Sequence, residues 1–195
     1  MIIKADTRLI PGTVITRSSS GGVTGTDFLD RIFFVSDGIM LAQIRDICGI
    51  DGTTLQNWTK RGWVDNPKSK KYTKDQLARI LIINMLRDCM RLDSIVFVIS
   101  YINGRVYDRS DSILTESVLY GYICRVLDEI DGYGNGLSCG QNLRDCIAFT
   151  TADYEESIKG TAARLRRALE IIITAYGASL EKKRADEMVN AVMRF

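Results

Sequence analysis

A mainly α-helical fold is predicted by three observations on this 195-residue chain. Apolar residues recur at helical spacing over most of its length. Two Thr-x-x-Gln patterns, Thr53–Gln56 and Thr73–Gln76, offer capping boxes just ahead of such runs, and only two prolines interrupt the sequence. At most a small hairpin is expected, around Trp63 to Tyr72. The composition, 46% apolar and 26% charged, is that of a globular domain able to bury a core. The longest apolar runs, Ile80–Ile83 and Ile95–Ile99, are far short of the roughly 20 residues a bilayer requires. Met1 opens no basic-apolar-small export pattern, so a cytoplasmic protein without membrane contact is expected.

Taken in order, residues 1–27 contain "TRSSSGGVTGT", too polar and glycine-rich to hold itself down, and are expected to form a flexible N-terminal arm. Phe28 to Val35 is apolar but short, and helix and strand compete there. "MLAQIRDICG" aligns Leu41, Ile44, Ile47 and Cys48 on one stripe and stops at Gly49, a helix C-cap. After the short link "GIDG", Thr53 is expected to cap a helix over Thr54 to Arg61 that ends at Gly62, a helix-turn-helix spacing. Asn66-Pro67 then signals a turn with a basic tip, and Thr73 caps a long helix from Lys74 to Met90 whose stripe Leu77, Ile80, Leu81, Met85, Leu86 is wide. "SIVFVISYING" is β-branched but reads as the next helix of the cluster, ending at Asn103-Gly104.

Further on, a helix is expected over 112–130 with Leu114, Val118, Leu119, Tyr122, Ile123, Val126, Leu127 and Ile130 inward. Glycines mark 131–150 as loop with one short helix. Ile158, Ala162, Leu165, Leu169, Ile172 and Tyr176 alternate in steps of four and three, a heptad seam that either packs within the chain or pairs with a second copy. Gly177 is expected to bend or end that helix, and Leu180, Met188, Val189, Val192 and Met193 belong to a last one.

The absence of histidine removes the commonest general base and metal ligand, and carboxylates such as Asp128, Glu129 and Asp131 show no positioned partner. No catalytic residue, cofactor or metal site is expected, and the protein is not read as an enzyme. Five irregularly spaced cysteines make no disulfide framework. Cys48, Cys89 and Cys124 fall on apolar faces. Cys139 and Cys146 could together hold a soft monovalent ion, but incidental loop and core thiols are the better account. Net charge is only +2, yet residues 41–91 hold ten Lys and Arg against five Asp and Glu, which is the footprint of a polyanion-binding face.

The segment "LAQIRDICGIDGTTLQNWTKRGWV", continued by "NPKSKKYTKDQLARILIINMLR", resembles the winged helix-turn-helix of MerR-type transcriptional regulators, and more narrowly an uncharacterised bacterial domain family classed with them. Leu55, Trp58, Gly62, Val64, Pro67, Tyr72 and Leu77 fall at that pattern's apolar, Gly, Pro and Tyr positions. The wing "PKSKKY" is short, and Gln56 stands where arginine is common. The resemblance implies a mainly α protein with a winged helix-turn-helix at 28–104, followed at 105–195 by a C-terminal helical bundle or dimerisation helices with an effector role.

Leu55 and Trp58 would face inward, leaving Thr54, Gln56, Asn57, Lys60 and Arg61 outward. Amide side chains can pair with adenine edges, and Arg and Lys with guanine or phosphate. Lys68, Lys70 and Lys71 on the wing suit phosphate oxygens. The expected function is therefore sequence-specific binding of double-stranded DNA by a homodimer, with an unknown effector left open as a further partner. The alternative is a protein-interaction module that docks an acidic partner with the same surface.

Overall fold

The computed structural model describes residues 8–103, 112–132, 140–156 and 158–194. In chain order the elements are α1 (Gly25–Phe33), β1 (Ile39–Met40), α2 (Leu41–Cys48), α3 (Gly52–Lys60), β2 (Lys71–Tyr72), α4 (Lys74–Leu86), α5 (Leu92–Asn103), α6 (Glu116–Gly132), α7 (Gly140–Thr150) and α8 (Thr161–Val192). The protein is mainly helical. The two strands pair antiparallel, with Ile39 opposite Tyr72 and Met40 opposite Lys71.

Helix α4 is the centre of the fold. Leu77 to Ile83 are all buried, because α1, α2, α5, α6 and α8 pack around it, and the all-round apolar run "LARILII" suits a helix enclosed by neighbours. Its start is fixed as expected: the Thr73 hydroxyl accepts from the Gln76 N–H at 3.3 Å, and Gln76 Oε1 accepts from the Thr73 N–H at 2.8 Å. The strand-like "SIVFVISYI" is indeed helical. Ile95, Val98, Ile99 and Ile102 bury one stripe of α5, and that spacing outweighs β-branched propensity.

The described part of the expected flexible arm, 8–24, is packed on the core. Ile10 is fully buried, and Gly12 crosses α4 at φ 77° so closely that a Cβ there would collide with the Leu81 carbonyl oxygen. Asn84 Nδ2 donates to the carbonyls of Gly12 and Cys48, both at 2.9 Å, and the Tyr120 hydroxyl donates to the Pro11 carbonyl at 2.8 Å. Arg17 pairs with Asp128, which also accepts from the Thr24 hydroxyl. These partners come from α4 and α6, far away in sequence, and local composition gives no sign of them.

One hydrophobic cluster joins the two expected units, with α1 and α4 packed against α6. The 104/105 boundary lies outside the described residues. Helix α6 begins at Glu116, and the Ser117 N–H donates to Asp75 Oδ1 at 3.0 Å. Val118, expected inward, is exposed, and Tyr120 takes an inward place. Within 131–150 the helix is α7. Ile158 lies outside α8 and is exposed, and Gly177 does not end α8 but sits buried within it. Leu165, Leu169 and Ile172 are fully buried against α4–α7, so the seam closes within the chain. Beyond Ser179 every residue to Arg194 is exposed. Among the described residues, no helix is long and apolar enough to cross a membrane.

Candidate nucleic-acid interface

Helix α2 stops at Gly49, whose φ of 66° suits glycine and whose N–H closes on the Arg45 carbonyl at 2.8 Å. Two residues later, Asp51 rather than Thr53 caps α3. Its Oδ1 accepts from the Thr54 N–H at 2.8 Å and its Oδ2 from the Thr54 hydroxyl at 2.6 Å. A carboxylate gains from the positive end of the helix dipole as well as from the hydrogen bond, an advantage Thr53 lacks. The Thr54 side-chain bond, followed by its backbone bond, holds the Asp51 carboxyl below the usual carboxylate value.

Helix α3 is secured by two side chains. Leu55 and Trp58 are buried with Ile44 and Ile47, and the Arg87 guanidinium lies 6.0 Å from the Trp58 ring centre. The other side faces solvent: Gln56, Asn57, Lys60 and Arg61 are all exposed. Thr54 differs, being half-buried with its hydroxyl committed to the cap. Arg61 stacks over the half-buried Trp63 ring at 5.1 Å.

The segment after α3 is tied to α4. Arg79 Nε donates to the Trp63 carbonyl at 2.6 Å, and Gln76 Nε2 donates to the carbonyls of Asp65 and Asn66 at 3.1 and 3.2 Å. The basic tip is a tight turn. Ser69 and Lys70 have φ of 50° and 63°, and the Lys71 N–H donates to the Lys68 carbonyl at 2.9 Å. Two successive left-handed residues match the twist of a two-residue hairpin turn, a conformation that disfavours side chains other than Gly, Asn or Asp.

Lys68, Lys70 and Lys71 are exposed there, and among the described residues neither they nor Lys60 form an ion pair. Lys74, just beyond, pairs with Asp30. Sequence reasoning assigned no role to Arg79. Its trace is a lone cation inside "LARILII", a pattern that calls for a buried partner, and Glu116 supplies one at 3.2 Å.

Among the described residues, Cys48, Cys89, Cys124 and Cys146 are free thiols. Burial pushes Cys48 and Cys124 up to about 12, with Arg87 countering slightly at Cys48 and a Tyr120 hydrogen bond at Cys124. Cys146 is buried, and Cys139 lies outside the described residues. Among the described residues, no group of three or more Cys, Asp or Glu could hold a metal ion. Asp128 serves Arg17 and Thr24, and the Asp131 side chain lies outside the described residues.

Residues 28–123 match a domain of unknown function, DUF1836. The DUF1836 segment runs from α1 into α6 and so contains α3, the lysine tip and α4. The Bacillus subtilis (strain 168) "Uncharacterized protein YkrK" is 27% identical over 96 residues, which cover 47% of this chain. The chain spans 41% of that relative's length. No solved structure matches the chain significantly.

Proposed function

We propose that the protein is a cytoplasmic, non-enzymatic transcriptional regulator that binds duplex DNA sequence-specifically through a MerR-like winged helix-turn-helix. Helix α3 is the recognition helix and the 66–72 turn is the wing. The observation that carries this reading is the division of α3: Leu55 and Trp58 are inside, while Gln56, Asn57, Lys60 and Arg61 are exposed among the described residues. The amides read adenine edges, and Lys60 and Arg61 take guanine or phosphate. The three tip lysines neutralise backbone phosphates beside the groove, fixing register rather than sequence. Two copies paired through the exposed end of α8 present two such helices to a palindromic site.

The quadruple variant Lys60→Ala, Arg61→Ala, Lys70→Ala, Lys71→Ala tests this in a mobility-shift assay against genomic fragments. Wild type gives a specific shift whose log affinity falls linearly with log salt. The variant loses the shift, with a salt slope shallower by up to about four, because each cation removed takes roughly one counterion release with it. Its thermal midpoint stays near that of wild type, since the four side chains are exposed. Weak, salt-insensitive retention of DNA by the wild type would reject the proposal and favour docking of an acidic protein.

A further inference from the structure

A second charged site lies away from α3, between α7 and α8. A cleft of about 300 Å³ is lined by Arg144 and Ile147 from α7 and by Ala163, Arg166, Arg167 and Glu170 from α8. Ile147 is buried and Ala163 exposed, so these two give the cleft an apolar wall that reaches the surface. The three arginines are held in place by acceptors from α8 and from Thr151, the residue after α7. Arg144 Nε and Arg167 Nη1 donate to the two oxygens of Glu170 at 2.9 and 2.8 Å, and Arg166 Nε donates to the Thr151 hydroxyl at 3.0 Å. Those two hydrogen bonds, Arg144 first, keep the Glu170 carboxyl below its ordinary value.

One carboxylate is thus bonded to two guanidiniums, and a third lines the same cleft. Each guanidinium makes these contacts through a single nitrogen, and each carries five N–H donors in a planar fork. The Arg144 and Arg167 side chains are 62% exposed while Glu170 is 22% exposed, so the cations stand at the mouth and the carboxylate beneath them. The cleft therefore has a net charge near that of a phosphomonoester dianion, with the sign reversed. Its volume is at the lower end of small-ligand pockets.

We propose that the α7–α8 cleft binds a small organic phosphomonoester, with the phosphate on the forks of Arg144, Arg166 and Arg167 and the carbon body along Ile147 and Ala163. Guanidinium forks match phosphate oxygens bidentately, whereas a lysine cluster would hold them only as point charges. Glu170 orients the two outer arginines and limits the affinity, since it competes for the same donors. The site is independent of α3, and its occupancy is measured without DNA.

Isothermal titration of the full chain with phenyl phosphate, and separately with inorganic phosphate, tests the assignment. Phenyl phosphate binds saturably at one site per chain and more tightly than inorganic phosphate, which leaves the apolar wall unused. Arg144→Ala with Arg167→Ala weakens phenyl phosphate by about tenfold or more, as loss of charge-assisted hydrogen bonds requires. Glu170→Gln keeps the side-chain volume, removes the competing charge and tightens binding. If the arginines merely staple α7 to α8, Glu170→Gln lowers the thermal midpoint and leaves anion affinity unchanged. That result, absence of saturable binding to wild type, or equal affinity for the two phosphates would each overturn the proposal.

Discussion

Cys48 and Cys124 are small hydrophobes in this protein, and that gives them a measurable titration. Both thiols sit in the core at 3% and 1% exposure, and burial raises them from an ordinary 9.0 to about 12. Below pH 9.0 each is protonated in both folded and unfolded chains, and its contribution to stability is fully present. Between 9.0 and about 12 the unfolded chain sheds protons that the fold retains, so stability falls as pH rises. Cys48→Ala with Cys124→Ala should therefore give a shallower loss of thermal midpoint above pH 9.0 than wild type, whatever its absolute stability. Tyr120, also raised well above its ordinary value by burial, leaves some residual slope. Parallel curves for the two proteins would refute the assignment. Such burial was legible in the sequence, as was that of Leu55 and Trp58, because helical spacing determines which side chains share a face. The choice of Asp51 over Thr53 as cap was less legible, since both are capping residue types at the start of the same helix and only the backbone path decides which carries the extended cap conformation.

Among the helices, those with strong punctuation were readable, α2 to its Gly49 cap and α4 from its capping box, and α5 was readable as the next helix of the cluster despite its β-branched residues. The short helix expected among the glycines of 131–150 is α7, whereas Gly177 suggested a bend or stop in what is one 32-residue helix. Glycine lowers helix propensity by only about 1 kcal/mol, less than the packing of Leu165, Ala168, Leu169, Ile172 and Ile173 contributes nearby. The consequence is a helix whose last part leaves the body. Ser179 still reaches the Met85 carbonyl at 3.4 Å, but from Leu180 to Arg194 nothing is buried, a projection of roughly 20 Å at 1.5 Å per residue. Met188, Val189, Val192 and Met193 are 56–78% exposed along it. An isolated helical end of this length is marginal in water unless something packs on it. On the proposed homodimer reading, removal of residues 181–195 should convert the dimer to a monomer in sedimentation equilibrium while leaving the thermal midpoint of the body within a few degrees. A wild-type monomer, or a truncated dimer, would eliminate this route to pairing.

The parts meet at α4. Arg79 and Glu116 are each 1% exposed, and Arg79 reaches both the Glu116 carboxylate and the Trp63 carbonyl, linking the start of α6 to the segment that leads from α3 to the lysine tip. Asp75 strengthens the same junction by accepting from the Ser117 N–H. A sequence reading cannot supply this link, because it joins residues 37 positions apart through one cation in an apolar run. A buried pair of this kind contributes little net stability, since desolvating both charges offsets most of their attraction, but removing one charge leaves the other less compensated in the core. Glu116→Gln should therefore destabilise the protein by about 3 kcal/mol in urea denaturation. Arg79→Met combined with Glu116→Leu should recover most of that loss, short by about 1 kcal/mol for the Trp63 carbonyl left without its donor. On the proposed DNA-binding reading, the double variant should fold well yet bind duplex several-fold more weakly, because the tip is no longer held against α4. If it regains both stability and affinity, the pair has no positioning role; if it stays as unstable as Glu116→Gln, the ion pair itself is a net contributor to the fold.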